Sequence, residues 1–140
     1  MAFTATTGLH DAVSKLMSWP VAAVDLDATL RQVAEAMASN EVGAAVVMSG
    51  DHFVGVVSER DVTNHLAGGA NPDHLLAEEV VTTAPVTATP GDTVLTAARL
   101  MAEAGVRHLP VVNAEDGDDV VGMVSLRDVS LVLLREVDRD

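Results

Sequence analysis

Two seven-residue stretches hold the side chains best suited to chemistry. They are Gly55-Val56-Val57-Ser58-Glu59-Arg60-Asp61 and Gly122-Met123-Val124-Ser125-Leu126-Arg127-Asp128, which share Gly, Val, Ser, Arg and Asp at matching places. Each begins as an apolar, β-branched run and ends in polar residues, the pattern of a strand turning into a helix. A serine at such a junction adds its hydroxyl to the free N–H groups of a helix N-terminus, which attract phosphate. The aspartate three residues on presents two acceptors, and a ribose presents two neighbouring hydroxyl donors. Each charge-assisted hydrogen bond of that kind contributes roughly 1.5–3 kcal/mol. The glycine permits close approach of backbone or ligand, and Arg60 and Arg127 offer positive charge beside each aspartate. Ser-x-x-Asp before an apolar run is equally a helix-capping pattern. Recurrence of Arg and Asp in both copies favours the ligand reading, and the cap stands as its alternative.

The elements that must position these stretches are legible from periodicity. Apolar Leu9, Val13, Leu16 and Met17 lie at helical spacing, so a short leading helix is expected before Trp19-Pro20. Residues 21–24 form a brief apolar run that suits a strand. Thr29-Leu30-Arg31-Gln32 has capping-box form, and Leu30, Val33, Ala34, Met37 and Ala38 continue a helix to about Asn40. Residues 44–48 read as a buried strand, 49–51 as a tight turn, 52–57 as the returning strand, and a helix follows from Ser58 to about Leu66. Gly68-Gly69-Ala70-Asn71-Pro72 is the strongest punctuation in the chain. The order then recurs: a short helix at 75–81, a short strand at 86–88, and a turn at 90–93. A helix carrying Val94, Ala97, Ala98, Met101 and Ala102 comes next, then a strand at 109–112. An acidic hairpin loop at 115–119 leads to a partner strand at 120–124 and a last helix from Ser125 to about Val137.

The recurrence is residue by residue. At an offset of 64, Thr29, Ala34, Met37, Ala38, Val42 and Val47 meet Thr93, Ala98, Met101, Ala102, Val106 and Val111. At an offset of 67, Gly55, Val57, Ser58, Arg60, Asp61 and Val62 meet Gly122, Val124, Ser125, Arg127, Asp128 and Val129. The change of offset falls in the hairpin loop, where insertions are tolerated. The expected fold is α/β, built of two β-α-β-β-α units at 9–67 and 75–138 around a linker at 68–74. Each unit has one apolar sheet face to cover, so the two are expected to pack about a pseudo-twofold axis with matching clefts at the junction.

Composition narrows the function. The 140 residues are 49% hydrophobic with only Phe3, Trp19 and Phe53 as aromatics, so the core must rest on Val, Leu, Ala and Met. With 21 acidic against 8 basic side chains the formal charge is −13, which repels nucleic acid and anionic membranes. The absence of cysteine removes disulfides, zinc-thiolate sites and thiol catalysis. Residues 1–7 lack the features of a leader, and no apolar run is long enough for a membrane span, so a soluble, cytoplasmic protein is expected. There is neither a nucleophile elbow nor a phosphate loop with lysine.

The unit layout, the Thr-x-x-x-x-Ala-x-x-Met helix, the strand Val106-Arg107-His108-Leu109-Pro110-Val111-Val112 and the Gly-x-x-Ser-x-x-Asp ending resemble the cystathionine-β-synthase (CBS) domain. The resemblance covers residues 11–137 as one tandem pair, a Bateman module. It implies two facing sheets with clefts that commonly bind adenosine-containing ligands. It further implies that Asp61 and Asp128 hold ribose hydroxyls, that Ser58 and Ser125 lie near phosphates, and that Arg107-His108 points toward phosphate. The first unit departs from that pattern, with Gly43-Ala44 where the second has Arg107-His108, so unequal sites are expected.

A non-catalytic regulatory module is therefore expected, with AMP, ADP or ATP as ligand and S-adenosylmethionine or NAD as less favoured candidates. The expected site set is Ser58, Arg60, Asp61, Arg107, His108, Ser125, Arg127 and Asp128, with no metal. The resemblance also suggests a homodimer, and the output would pass to an unknown effector protein. The alternative is a ligand-free interaction module that uses the apolar helices at 58–66 and 125–137; an enzyme using Asp61 or Asp128 as a base is more distant. Other polar groups have plainer readings. His52, His65 and His74 lack metal-pair spacing, and Asp116, Asp118 and Asp119 resemble half a calcium loop without its later Glu. Met37, Met48, Met101 and Met123 fit a core.

Overall fold

The computed structural model describes residues 7–138; of the stretch read for a leader, all but Thr7 lies outside them. The described chain carries strands β1 (Ala23–Asp25), β2 (Ala44–Ser49), β3 (His52–Ser58), β4 (Thr82–Thr83), β5 (His108–Asn113) and β6 (Asp116–Ser125). Its helices are α1 (Leu30–Asn40), α2 (Glu59–Ala67), α3 (Ala77–Val80), α4 (Val94–Ala104) and α5 (Leu126–Asp138). They form two compact units, one of residues 22–85 and one that joins 86–138 to the segment 7–21.

In the 22–85 unit the sheet order is β1-β2-β3-β4, with β1 parallel to β2 and the remaining pairs antiparallel. Helix α1 starts where the capping box was expected: Gln32 N–H donates to Thr29 Oγ1 at 3.2 Å and Thr29 N–H donates to Gln32 Oε1 at 2.9 Å. These bonds satisfy donors that a helix start otherwise leaves open. Leu30, Val33 and Met37 then bury one face of α1 on Ala45, Val47 and Val57 of the sheet. The second unit repeats this with Thr93 as cap and Val94, Ala97 and Met101 as the buried face of α4, each 64 residues after its counterpart. Strands β5 and β6 form its hairpin, and single bridges complete the sheet. Ala88 pairs parallel with Val111, as Val24 does with Val47, and Ser18 pairs antiparallel with Met123, as Thr82 does with Val56.

The packing divides the chain differently from the sequence repeat. Residues 9–21, expected as the opening of the first unit, pack in the second, where Val13 and Leu16 are fully buried. Residues 75–85, expected as the opening of the second unit, pack with the first, through Ala77 and Val80. The exchange is reciprocal at the same offset: Ala12 bridges Thr93, and Leu76 bridges Thr29. The expected linker is also engaged, since Arg31 N–H donates to Pro72 O and Leu30 N–H to Leu75 O, which caps the start of α1.

Three local expectations are corrected. The leading helix contracts to a 3-10 turn at Val13–Lys15. Its N–H groups go instead to Asp92 O (from Val13, 2.7 Å) and Pro90 O (from Ser14, 3.2 Å), so tertiary hydrogen bonds displace the helical ones. The strand expected at 86–88 is reduced to the Ala88 bridge, with Pro90 shortly after it unable to donate. The acidic loop shrinks to a turn at Ala114-Glu115, because Glu115 N–H donates to Asn113 Oδ1 and Asp118 N–H to Asp116 Oδ1, which lets β6 begin at Asp116.

Arg31 and Asp73 form an exposed ion pair across 42 residues. The hydrogen bond from the Arg31 guanidinium holds the Asp73 carboxyl below its ordinary value. A depressed folded pKa adds stability above the unfolded carboxyl value of about 3.9, and that stability is lost as pH falls through the folded value. Asp73→Asn should therefore melt below the wild type at neutral pH, by a small margin given the exposure. The margin should narrow progressively in melts run at pH values falling below the unfolded value of about 3.9.

Candidate functional site

Strand β3 delivers Ser58 to the start of α2, and β6 delivers Ser125 to the start of α5. Both serines cap: Ser58 Oγ accepts from Asp61 N–H and Ser125 Oγ accepts from Asp128 N–H, each at 3.2 Å. The capping reading is thus realised at both motifs. The aspartates differ, however. Asp61 Oδ2 accepts from Ser58 N–H at 2.8 Å and from Ser58 Oγ at 2.9 Å, which closes a full capping box. Among the described residues no donor reaches the Asp128 carboxylate, which sits half-buried in the first turn of α5. The two motifs look alike as sequence, yet one carboxylate is engaged within the chain and the other has its acceptors available.

The hairpin places Arg107 and His108 beside the second motif. His108 stands opposite Ser125 in the β5–β6 register, and Leu126 N–H donates to Arg107 O at 2.8 Å. In the first unit the same places belong to Gly43, whose carbonyl accepts from Glu59 N–H at 2.9 Å, and to Ala44, opposite Ser58. The backbone geometry repeats while the side chains do not. One end of the second hairpin thus gathers Arg107, His108, Ser125, Arg127 and Asp128, whereas the first gathers only Ser58, Arg60 and Asp61. The three arginines are solvent-exposed and His108 is half-buried.

The glycines serve the chain itself. A Cβ on Gly55 would lie 2.9 Å from both the Thr82 carbonyl carbon and Val81 Cγ2, with the Thr82 oxygen nearer still. A Cβ on Gly122 would lie 2.8 Å from Met17 Cγ. Of the two roles open to them, close approach of chain is the one built here, and the approaching segments are again exchanged between repeats. Sequence reasoning missed these segments as site supports, although the offset of 64 that links Met17-Ser18 to Val81-Thr82 was available as a signal.

Among the described residues no group of three or more His, Asp or Glu side chains could hold a metal ion. Asn113 Nδ2 donates to Asp119 Oδ2 at 3.2 Å, so the acidic turn is tied to its own hairpin. Met37, Met101 and Met123 are buried, as a core role requires.

Comparison with known proteins places the chain. The CBS domain model matches residues 13–68 and again 77–135, so the chain belongs to the CBS domain family, with two copies of the domain. A solved CBS domain protein from Pyrobaculum aerophilum, complexed with AMP, is 34% identical. It superimposes with a TM-score of 0.79 over 91% of this chain and 98% of that one. A protein of Thermofilum pendens described as an uncharacterized 33.4 kDa protein in the ribosomal RNA operon is 35% identical over 108 residues. That match takes in 76% of this chain and 34% of the relative. The CBS domain-containing protein YhcV of Bacillus subtilis is 28% identical over 120 residues, or 86% of this chain and 84% of that one. The chain spans 34% and 52% of the lengths of two archaeal relatives that it matches, from Thermofilum pendens and Methanopyrus kandleri. Among the described residues no helix is long and apolar enough to cross a membrane.

Proposed function

We propose that this chain is a non-catalytic, cytoplasmic sensor module that binds an adenine nucleotide at the second motif. The observation that carries the reading is the half-buried Asp128 carboxylate, unengaged by any described donor and set in the first turn of α5 beside Ser125. It accepts the two ribose hydroxyls, and Ser125, Arg107, His108 and Arg127 face the phosphates. The 34%-identical relative complexed with AMP supports this class of ligand. AMP is the first candidate, with ADP and ATP next and S-adenosylmethionine or NAD behind. Binding shifts a population of conformations or assemblies, and that shift is the signal passed to an effector protein.

A homodimer is part of the proposal. Leu126, Leu131, Leu133, Leu134 and Val137 of α5 are all exposed large apolar side chains, and Val137 is 69% exposed. Those same side chains favour a second reading, an interaction module that works without ligand. Isothermal titration with AMP separates the two. A saturable heat is expected; its absence at millimolar AMP and equally with ADP, ATP, S-adenosylmethionine and NAD would leave the interaction reading, and sedimentation would then show whether the dimer forms regardless.

A further inference from the structure

Met123, two residues ahead of Ser125, depends on a distant segment for its backbone hydrogen bonds. Ser18 N–H donates to Met123 O at 2.9 Å, and Met123 N–H donates to Ser18 O at 3.0 Å. On its other side Met123 faces Pro110, which has no N–H to give. Met123 is only 7% exposed, and buried backbone groups left without partners are costly. The segment that supplies those partners is held by few elements of regular structure: one 3-10 turn, two bonds to the 90–92 loop, and two from the start of α4, Val94 N–H to Asp11 O and Leu95 N–H to Leu9 O. Val13 and Leu16 anchor it in the core that also holds Val124 and Val129, the residues immediately before Ser125 and after Asp128. Met17 covers Gly122.

We infer that residues 9–18 form a latch on β6 whose closure is thermodynamically linked to ligand occupancy at Ser125 and Asp128. The inference rests on the ligand reading above. With the latch closed, β6 is bonded on both edges, and the turn into α5 that carries both ligand groups is fixed. With the latch open, Met123 loses both backbone partners and Val124 and Val129 lose Val13 and Leu16 from their core, so the Ser125–Asp128 geometry loosens. If closure raises affinity, occupancy must favour closure by the same factor. The segment 76–83 is an internal control, because it bears the same relation to β3, through Thr82 and Val56, in the unit whose aspartate is already engaged.

Hydrogen exchange of the full chain with and without saturating AMP tests this. The amides of Val13, Ser14 and Ser18 should slow by about fivefold or more, while those of 76–83 change by less than about twofold. Leu16→Ala, which loosens the latch while leaving Ser125 and Asp128 in place, should weaken AMP binding by about threefold or more. AMP binding with unchanged exchange at 9–18, or with equal slowing at 9–18 and 76–83, overturns the latch and leaves the ligand reading standing. No calorimetric binding of AMP, ADP, ATP, S-adenosylmethionine or NAD to the wild type overturns the ligand reading, and the latch with it.

Discussion

Asp128→Ala is expected to lower AMP affinity by at least about tenfold, because in the proposed binding mode it removes the acceptor of two charge-assisted hydrogen bonds worth roughly 1.5–3 kcal/mol each. Asp61→Ala is expected to cost only a few-fold in affinity. Its effect should fall on stability instead, since the carboxylate that closes the α2 capping box is lost, a change of about 1 kcal/mol. The two variants thus exchange signatures: one binds poorly and melts nearly as the wild type does, the other binds well and melts lower. Calorimetric titration and thermal melts on the same preparations read both. Equal affinity losses for the two variants would contradict a site built on Asp128.

Gly55→Ala is expected to be among the most damaging single methyl additions in this chain. The new Cβ would meet Thr82 backbone as well as the Val81 side chain, and backbone cannot turn aside as a flexible side chain can. Overpacking of this sort costs about 1–3 kcal/mol, occasionally more. The upper end applies here because β4 must shift to make room, which corresponds to a fall in Tm of roughly 10 °C. Gly122→Ala should be milder, as the atoms in the way belong to the flexible Met17 side chain. Gly91→Ala and Gly117→Ala, with nothing within 4 Å of the added carbon, should be neutral or slightly stabilising. Urea unfolding across the series should rank the costs as Gly55, then Gly122, then the two open positions. A Gly55→Ala protein as stable as the wild type would show that β4 is not held against β3 as described.

Much of this molecule is legible in its residues because the relevant signals are local. Helical spacing of Leu30, Val33 and Met37, the Thr29–Gln32 box, and the matching Val94, Ala97 and Met101 are contacts within a few positions along the chain. A repeat then doubles every such signal, which is why two like units and the serines at their helix starts could be read without coordinates. The segments that close each sheet left only a faint sign, the offset of 64 between Met17-Ser18 and Val81-Thr82. Residues 9–17 have the spacing of a helix, but the Val13 and Ser14 donors are claimed by the distant carbonyls of Asp92 and Pro90, and periodicity carries no information about a partner so far along the chain. The Ser-x-x-Asp pair shows the same limit at closer range. The same Ser and Asp leave Asp61 tied to its own serine and Asp128 without a donor among the described residues, because a carboxylate's partner follows from side-chain orientation, which residue type alone does not fix.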